Sequence, residues 1–431
     1  MTKILIKGAR VVDPANNFDS IADVTIVGSR IVEVGKVPQG FKADRTINAD
    51  RLLLLPGIID LCARLREPGE EQKATIASET TAAATAGITG LVCPPDTWPV
   101  VDTPAMANMI RDRAEANGQS RVYPLGALTV GLEGEKLTDM AMLLDAGCVG
   151  VSNGLKAVSN TLVMRRAMQY ASTYDIPVFL TPQDPWLLGN GVVHEGKVST
   201  RLGLPAIPEA AETVGVARDL ALIETSGARA HVNLISCGRS VTMLGEAQSH
   251  NLPVSASVAI HQLLLCEDDI GAFDTRYKVF PPLRTAADRQ ALFEGVRTGT
   301  VSVICSDHQP HGADAKLAPF SEAAAGIAGV DTLLALTLSL TVNKQLPLST
   351  AVAALTCNPA RVIGVDRGHL SVGANADLCL VDPTEEWILN DESMQSRGQN
   401  SPFMGKQFFG KTHMTMIEGE VIFQDADRFP G

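Results

Sequence analysis

The sequence predicts an α/β fold, a closed (β/α)8 barrel over residues 56–364 joined to a small composite β domain built from residues 1–55 and 365–431. Three observations carry this. Both ends read as short strands broken by turns. The long middle repeats an apolar strand followed by an Ala-rich helical stretch. The chain of 431 residues also exceeds the ~250–300 residues at which one core usually stops growing, so a large unit with a smaller companion is expected.

At the N-terminus, Ile4-Leu5-Ile6, Arg10-Val11-Val12, Val24-Thr25-Ile26-Val27 and Arg30-Ile31-Val32-Glu33-Val34 are β-branched runs. Asp13-Pro14 and Gly28-Ser29 separate them as turns. In the middle, Gly90-Leu91-Val92-Cys93 precedes a helix over 104–117, and Val149-Gly150-Val151 precedes one over 161–173. Pro177-Val178-Phe179-Leu180 precedes 208–226, Ala230-His231-Val232-Asn233-Leu234 precedes 238–249, and Val301-Ser302-Val303-Ile304 follows late. Strand-then-helix repetition implies parallel strands with helical crossovers, and at this count a closed barrel rather than an open sheet. In the tail, Asp377-Leu378-Cys379-Leu380-Val381 reads as a strand. Met414 to Ile417 and Val421 to Phe423, around Glu418-Gly419-Glu420, read as a hairpin.

Composition excludes several classes. The net charge of −12 opposes phosphate backbones and anionic lipid, so neither nucleic acid nor membrane is an expected partner. No apolar run approaches the ~18 residues of a membrane span, and the N-terminus carries no signal-peptide pattern. Eight scattered cysteines without a CxxC pair fit reduced thiols and a cytoplasmic location. No glycine-rich phosphate loop follows any strand.

The segment Pro56-Gly57-Ile58-Ile59-Asp60-Leu61-Cys62-Ala63-Arg64-Leu65-Arg66-Glu67-Pro68-Gly69 resembles the first barrel strand of the dihydroorotases, where a His-x-His pair stands before a Leu-Arg-Glu-Pro-Gly block. Further blocks follow in the family's order. They are 201–210, Tyr277-Lys278-Val279-Phe280-Pro281-Pro282-Leu283-Arg284, Ser306-Asp307-His308-Gln309-Pro310-His311, 358–361, 374–378 and Ser401-Pro402-Phe403-Met404-Gly405. The resemblance covers nearly the whole chain. It implies a TIM-type barrel and favours dihydroorotase over hydantoinase or allantoinase. It also implies two divalent metals at the barrel mouth, held by histidines, an acidic or carboxylated-lysine bridge and one aspartate, which activate a bridging water.

Against that pattern most ligands are missing. The strand-one histidines are Cys62 and Arg64, and a guanidinium cannot ligate a metal. The acidic bridge falls in Val151-Ser152-Asn153-Gly154-Leu155 and becomes Asn153, with Lys156 one step past the loop. The other two histidines become Thr181 and Leu234, and His231 survives at a position that is not a ligand in the family. Only Asp307 keeps its family identity. His308 and His311 beside it form the best remaining metal-like cluster, although both belong to the family sequence in any case. The expected cofactor set is therefore none, with the family zinc lost.

The substrate contacts implied by the resemblance are altered too. Arg66 matches the arginine that grips a carboxylate, although a salt-bridged residue of the barrel mouth is an equal reading. Asp96 and Phe280 replace two asparagines, and His261 and Gln262 stand where the family often has paired histidines. An aspartate at 96 is expected to repel a carboxylate substrate. Three functions remain. The first is a noncatalytic assembly subunit for the catalytic chains of aspartate transcarbamoylase, a partner the resemblance implies, as a homo- or hetero-oligomer. The second is an active dihydroorotase or related cyclic amidohydrolase with an altered metal site. The third is a small-molecule sensor using Arg66. Arg64 is also expected to fill the space of the lost cation and to meet Asp307 across the seam between strands one and eight.

Overall fold

The computed structural model describes residues 1–342 and 345–429. Eight parallel barrel strands run Ile58–Asp60, Ile88–Cys93, Arg121–Pro124 continued by Gly126–Ala127, Val151–Ser152, Val178–Leu180, Ala230–Val232, Val254–Ala259 and Val303–Cys305. They pair in chain order. The third strand kinks at Leu125, whose N–H bonds to Cys93 O at 2.9 Å while Gly126 N–H bonds to Gly150 O at 2.9 Å, so the ladder continues across the kink. The ring closes between last and first strands. His308 N–H donates to Cys62 O at 3.1 Å, and Arg64 N–H donates to His308 O at 2.9 Å. The buried Asp60 carboxylate adds a side-chain clasp, accepting from the Ser306 N–H at 2.9 Å and from the Ser306 hydroxyl.

The crossover helices follow the apolar spacing. Thr161–Thr173 is capped by Asn160 Oδ1, which accepts from the N–H groups of Leu162 and Val163 at 3.0 and 3.4 Å. Its buried Met164, Ala167, Met168 and Ala171 repeat at i, i+3, i+4 and i+7, one helical face. Pro104–Asn117, Ala210–Ser226 and Gly238–Ser249 stand where the sequence places them. The barrel interior is packed rather than open. Ile59, Leu61, Val92, Leu125, Phe179 and Val303 share one cluster with Ala360 and Ile363 of the helix Cys357–Ile363.

Both termini build one mixed sheet. Its order is Glu420–Gln424, Gln407–Ile417, Leu378–Ile388, Leu53–Pro56, Lys3–Asp13, Phe18–Val27 and Arg30–Gly35, with Arg45–Asn48 also on Lys3–Asp13. Lys3–Asp13 is one strand, where the residues read as two. Gly8 takes φ 76° at a register shift between Ile6 and Ala9, and its N–H donates to Asp23 Oδ1 at 2.9 Å, so a bulge carries the strand on. Arg121 and Arg367 meet Asp377 at 2.8 and 3.4 Å and join sheet to barrel. Residues 389–406 leave the sheet and return to the barrel mouth. There Asn400 donates to Gln309 O and Gly326 O, both at 2.9 Å, and accepts from His311 N–H at 2.8 Å. Among the described residues no helix is long and apolar enough to cross a membrane.

Candidate active site at the barrel mouth

Residues that follow strands one, two and eight meet at one end of the barrel. Alternation along the first strand aims Cys62 and Arg64 the same way, and the Arg64 side chain is only 7% exposed. Its Nη1 lies 3.4 Å from Asp307 Oδ1, the expected contact across the seam. The closer partner is Asp96, whose Oδ2 accepts from Nε at 3.0 Å and Nη2 at 2.9 Å. Asp96 therefore corrects its sequence reading. Its charge is engaged by Arg64 rather than left to repel a ligand. Burial works against the guanidinium's charge, but the two aspartates outweigh it and hold Arg64 above the usual arginine range.

Asp307 is 1% exposed. Desolvation pushes its carboxyl up to about 6, while Arg64 and the Gln309 amide pull it down. Gln309 Nε2 donates to both oxygens, at 3.0 and 3.2 Å. Cys62 completes the group. Burial, with Asp307 beside it, pushes the thiol well above its usual range, so it is a neutral S–H 3.7 Å from Asp307 Oδ1.

The remaining predicted positions are committed elsewhere. Thr181 donates its hydroxyl to Gly154 O at 2.9 Å. Asn153 accepts from the Thr129 hydroxyl at 2.7 Å and donates to Leu132 O and Lys156 O at 3.3 and 3.0 Å. Leu234 joins the apolar barrel interior with Cys62 and Phe179. Lys156 is exposed. Two divalent cations do not fit this donor set. A guanidinium lies between the carboxylates, Leu234 has no donor atom, and the amide and hydroxyl are already satisfied.

His308 and His311 also differ from the metal-like cluster their spacing offers. His308 is fully buried. Its Nδ1 accepts from the N–H groups of Gly329 and Val330 at 3.1 and 3.3 Å, which places the proton on Nε2, 2.7 Å from Glu79 Oε2. Both ring nitrogens are thus used. Glu79 also accepts from Ser396 Oγ at 2.6 Å and Arg397 N–H at 3.2 Å. Burial raises its carboxyl, but the His308 and serine hydrogen bonds outweigh that and leave it below the usual range. His311 Nε2 lies 3.0 Å from Arg66 Nη2. Arg66 further donates to Pro310 O at 3.0 Å and Glu70 Oε2 at 2.9 Å. With Trp98, Asp96 and Lys156 it lines a cleft of about 490 Å³. His231 donates or accepts at Ser255 Oγ, 2.8 Å away, and burial pulls its imidazole down to about 3.

Three mouth residues hold left-handed backbone: Arg66 at φ 62°, Leu234 at 55° and Asp307 at 47°. Such conformations cost non-glycine residues free energy and gather at functional sites. Sequence reasoning missed Asp96 and Gln309 as partners of the Arg64–Asp307 pair. The available signal was that a buried arginine needs more than one carboxylate or carbonyl to satisfy its fork.

A closed parallel barrel, a companion sheet from both termini and a mouth built on strand C-terminal ends define an amidohydrolase-type barrel. Solved structures of that type superpose closely. The L-hydantoinase (dihydropyrimidinase) from Arthrobacter aurescens matches with TM-score 0.89 at 22% identity, covering 98% of this chain and 96% of that one. Dihydropyrimidinase from Brevibacillus agri gives 0.84 at 21%, covering 98% and 95%. A family model described as dihydro-orotase-like matches residues 51–240. A dihydroorotase-like protein of Pseudomonas aeruginosa is 46% identical over 98% of this chain and 99% of its own length. One of Pseudomonas putida is 46% identical over 97% and 98%, and a dihydroorotase of Geobacter sp. (strain M21) is 40% identical over 98% and 99%. The chain belongs to the dihydroorotase-like family.

Proposed function

We propose that this chain is a noncatalytic member of the dihydroorotase-like family that serves as a structural subunit for assembly of aspartate transcarbamoylase in the cytoplasm. One observation carries the reading: the Arg64 guanidinium stands between Asp96 and Asp307, so the space where a metal pair would work is filled by a paired cation. The folding residues beside it are intact. Glu79–His308, Asp60–Ser306 and the Asn400 clasp are all made, which supports continued use of the folded surface.

Two outcomes are expected. The purified chain does not turn over dihydroorotate, and no metal it holds depends on Asp307. Turnover abolished by a chelator, or zinc that disappears in Asp307→Asn, would instead establish the second reading, an active amidohydrolase with an altered site. That alternative draws on relatives near 40% identity named dihydroorotase. Restoring Cys62→His and Arg64→His together leaves turnover at background, because Leu234, Thr181 and Asn153 still lack the donors.

Co-expressed with transcarbamoylase catalytic chains, the protein elutes with them as one hetero-oligomer through an interface above about 1,000 Å², and those chains alone are unstable or poorly active. Asp307→Ala leaves assembly unchanged. Separate elution at micromolar concentration, with a fully active lone transcarbamoylase, would overturn the assembly role.

A further inference from the structure

We infer that the β domain carries a zinc-binding site formed by Asp382, Glu385 and His413, separate from the barrel mouth. One ligand atom of each lies within 4.8 Å of the other two. The site is created by a break in the sheet. Between Leu378–Ile388 and Gln407–Ile417, Asp382 pairs with Lys411 and Glu386 with Phe409, so the residues between have no regular partners. Such a bulge re-aims side chains. The Thr384 N–H and hydroxyl both donate to Asp382 Oδ1, at 2.9 and 2.7 Å, and tighten the turn.

The observation that points to a ligand is His413, 2% exposed. Its Nδ1 lies 3.0 Å from Asp425 Oδ2. A carboxylate can only accept, so Nδ1 carries a proton toward Asp425, and Nε2 is the ring nitrogen that faces Glu385. That nitrogen faces Glu385 Oε2 at 2.8 Å, yet the contact lacks hydrogen-bond alignment and Nε2 is left without a partner. A buried imidazole nitrogen without a hydrogen-bond partner thus stands beside two half-buried carboxylates, a donor set that a cation can join. The Asp425–His413 contact has the form of the outer-sphere carboxylate that orients a metal-binding imidazole.

Charge agrees. Asp382, Glu385 and Asp425 surround the gap, and among the described residues Lys411 is the cation paired with them. Lys411 Nζ takes Glu385 Oε1 at 2.8 Å and Asp425 Oδ2 at 3.3 Å, leaving Glu385 Oε2 free of it. The three carboxylates and Lys411 sum to a dianion, which a divalent cation balances. One imidazole with two carboxylates suits Zn²⁺ better than Ca²⁺ or Mg²⁺, which favour all-oxygen sites. Bonds of about 2.0–2.2 Å at a tetrahedral angle set their donor atoms about 3.3–3.6 Å apart, so Glu385 Oε2, now 2.8 Å from Nε2, moves outward by a few tenths of an ångström to admit the ion. The ion would pin two strands together where their ladder is interrupted.

The test is calorimetric titration of the chelator-stripped full-length chain with zinc chloride, beside thermal unfolding with and without the metal. One zinc per chain and a raised melting temperature are expected. His413→Ala and Glu385→Gln should each abolish that binding, and Asp425→Asn should weaken it about 10–100-fold. Circular dichroism of each variant verifies folding. Asp307→Asn should bind zinc as the wild type does, so zinc at the barrel mouth would be recognised separately. Absence of binding would overturn the site. Binding indifferent to both His413→Ala and Glu385→Gln would overturn it too.

Discussion

Arg64→Met lowers the unfolding free energy by about 3–5 kcal/mol at pH 8, the usual loss when one partner of a buried ion pair is removed. Asp96 has a quarter of its side chain exposed and regains water, whereas Asp307 is sealed and keeps only Gln309 and Cys62. The pH dependence has a definite sign. Asp307 already titrates at about 6 in the folded chain, above the usual carboxyl value of 3.8. A raised acid holds its proton more tightly when folded, so its stabilising contribution is full at low pH and is lost as pH rises through about 6. Without Arg64 that pKa climbs further and the loss continues to higher pH. The deficit of Arg64→Met is therefore small at pH 5 and large at pH 8. Urea unfolding at the two values measures it. Equal deficits, or one below about 1 kcal/mol at pH 8, would show that Arg64 is not the counter-charge of Asp307. Asp307→Leu added to Arg64→Met should recover part of the loss, because the stranded charge is then gone.

Glu212→Ala has a comparable effect for a different reason. Its carboxylate is fully buried and collects the Ser236 and Cys237 N–H groups at 3.0 and 3.2 Å, the Ser240 hydroxyl at 2.7 Å and the Ser236 hydroxyl. Arg284, itself 2% exposed, stands 3.9 Å away and donates to Ser236 Oγ and Ile207 O, both at 3.0 Å. Removing Glu212 leaves those donors unsatisfied and Arg284 uncompensated, for a loss of about 3–5 kcal/mol. In a double-mutant cycle Arg284→Met costs much less on the Glu212→Ala background than alone. Additive losses would disprove the coupling.

Four crossover helices were legible because their spacing is local: Thr161–Thr173 carries its cap and its apolar face within the segment itself. The crossover helices Ile76–Thr85, Met140–Asp145 and Ala286–Thr298 escaped notice. The strands Arg121–Pro124 and Val254–Ala259 escaped notice. The first mixes Arg121 and Tyr123 with apolar residues, and the second alternates valine with serine and alanine, so neither shows the β-branched run that marks the others. At the mouth, the residue types at the family's ligand positions were readable, and so was the Arg64–Asp307 contact across the seam. The closer Asp96 partner was not, since Arg64 and Asp96 are far apart in the chain and meet only when strands one and two pair. His308 shows the same limit in reverse. Its spacing to Asp307 imitates a ligand pair, while its real partner, Glu79, lies 229 positions away.

The left-handed backbone at Arg66, Leu234 and Asp307 bears on how this mouth could be re-engineered. Each position costs of order 1–3 kcal/mol that packing elsewhere must offset, and the chain still maintains all three. That strain belongs to the main chain of the mouth and is set apart from which side chains the loops carry. A directed-evolution campaign toward hydrolysis could hold the loop lengths and main chain constant and search only side-chain identities at the mouth. Its first obstacle would be the Arg64 ion network rather than the architecture.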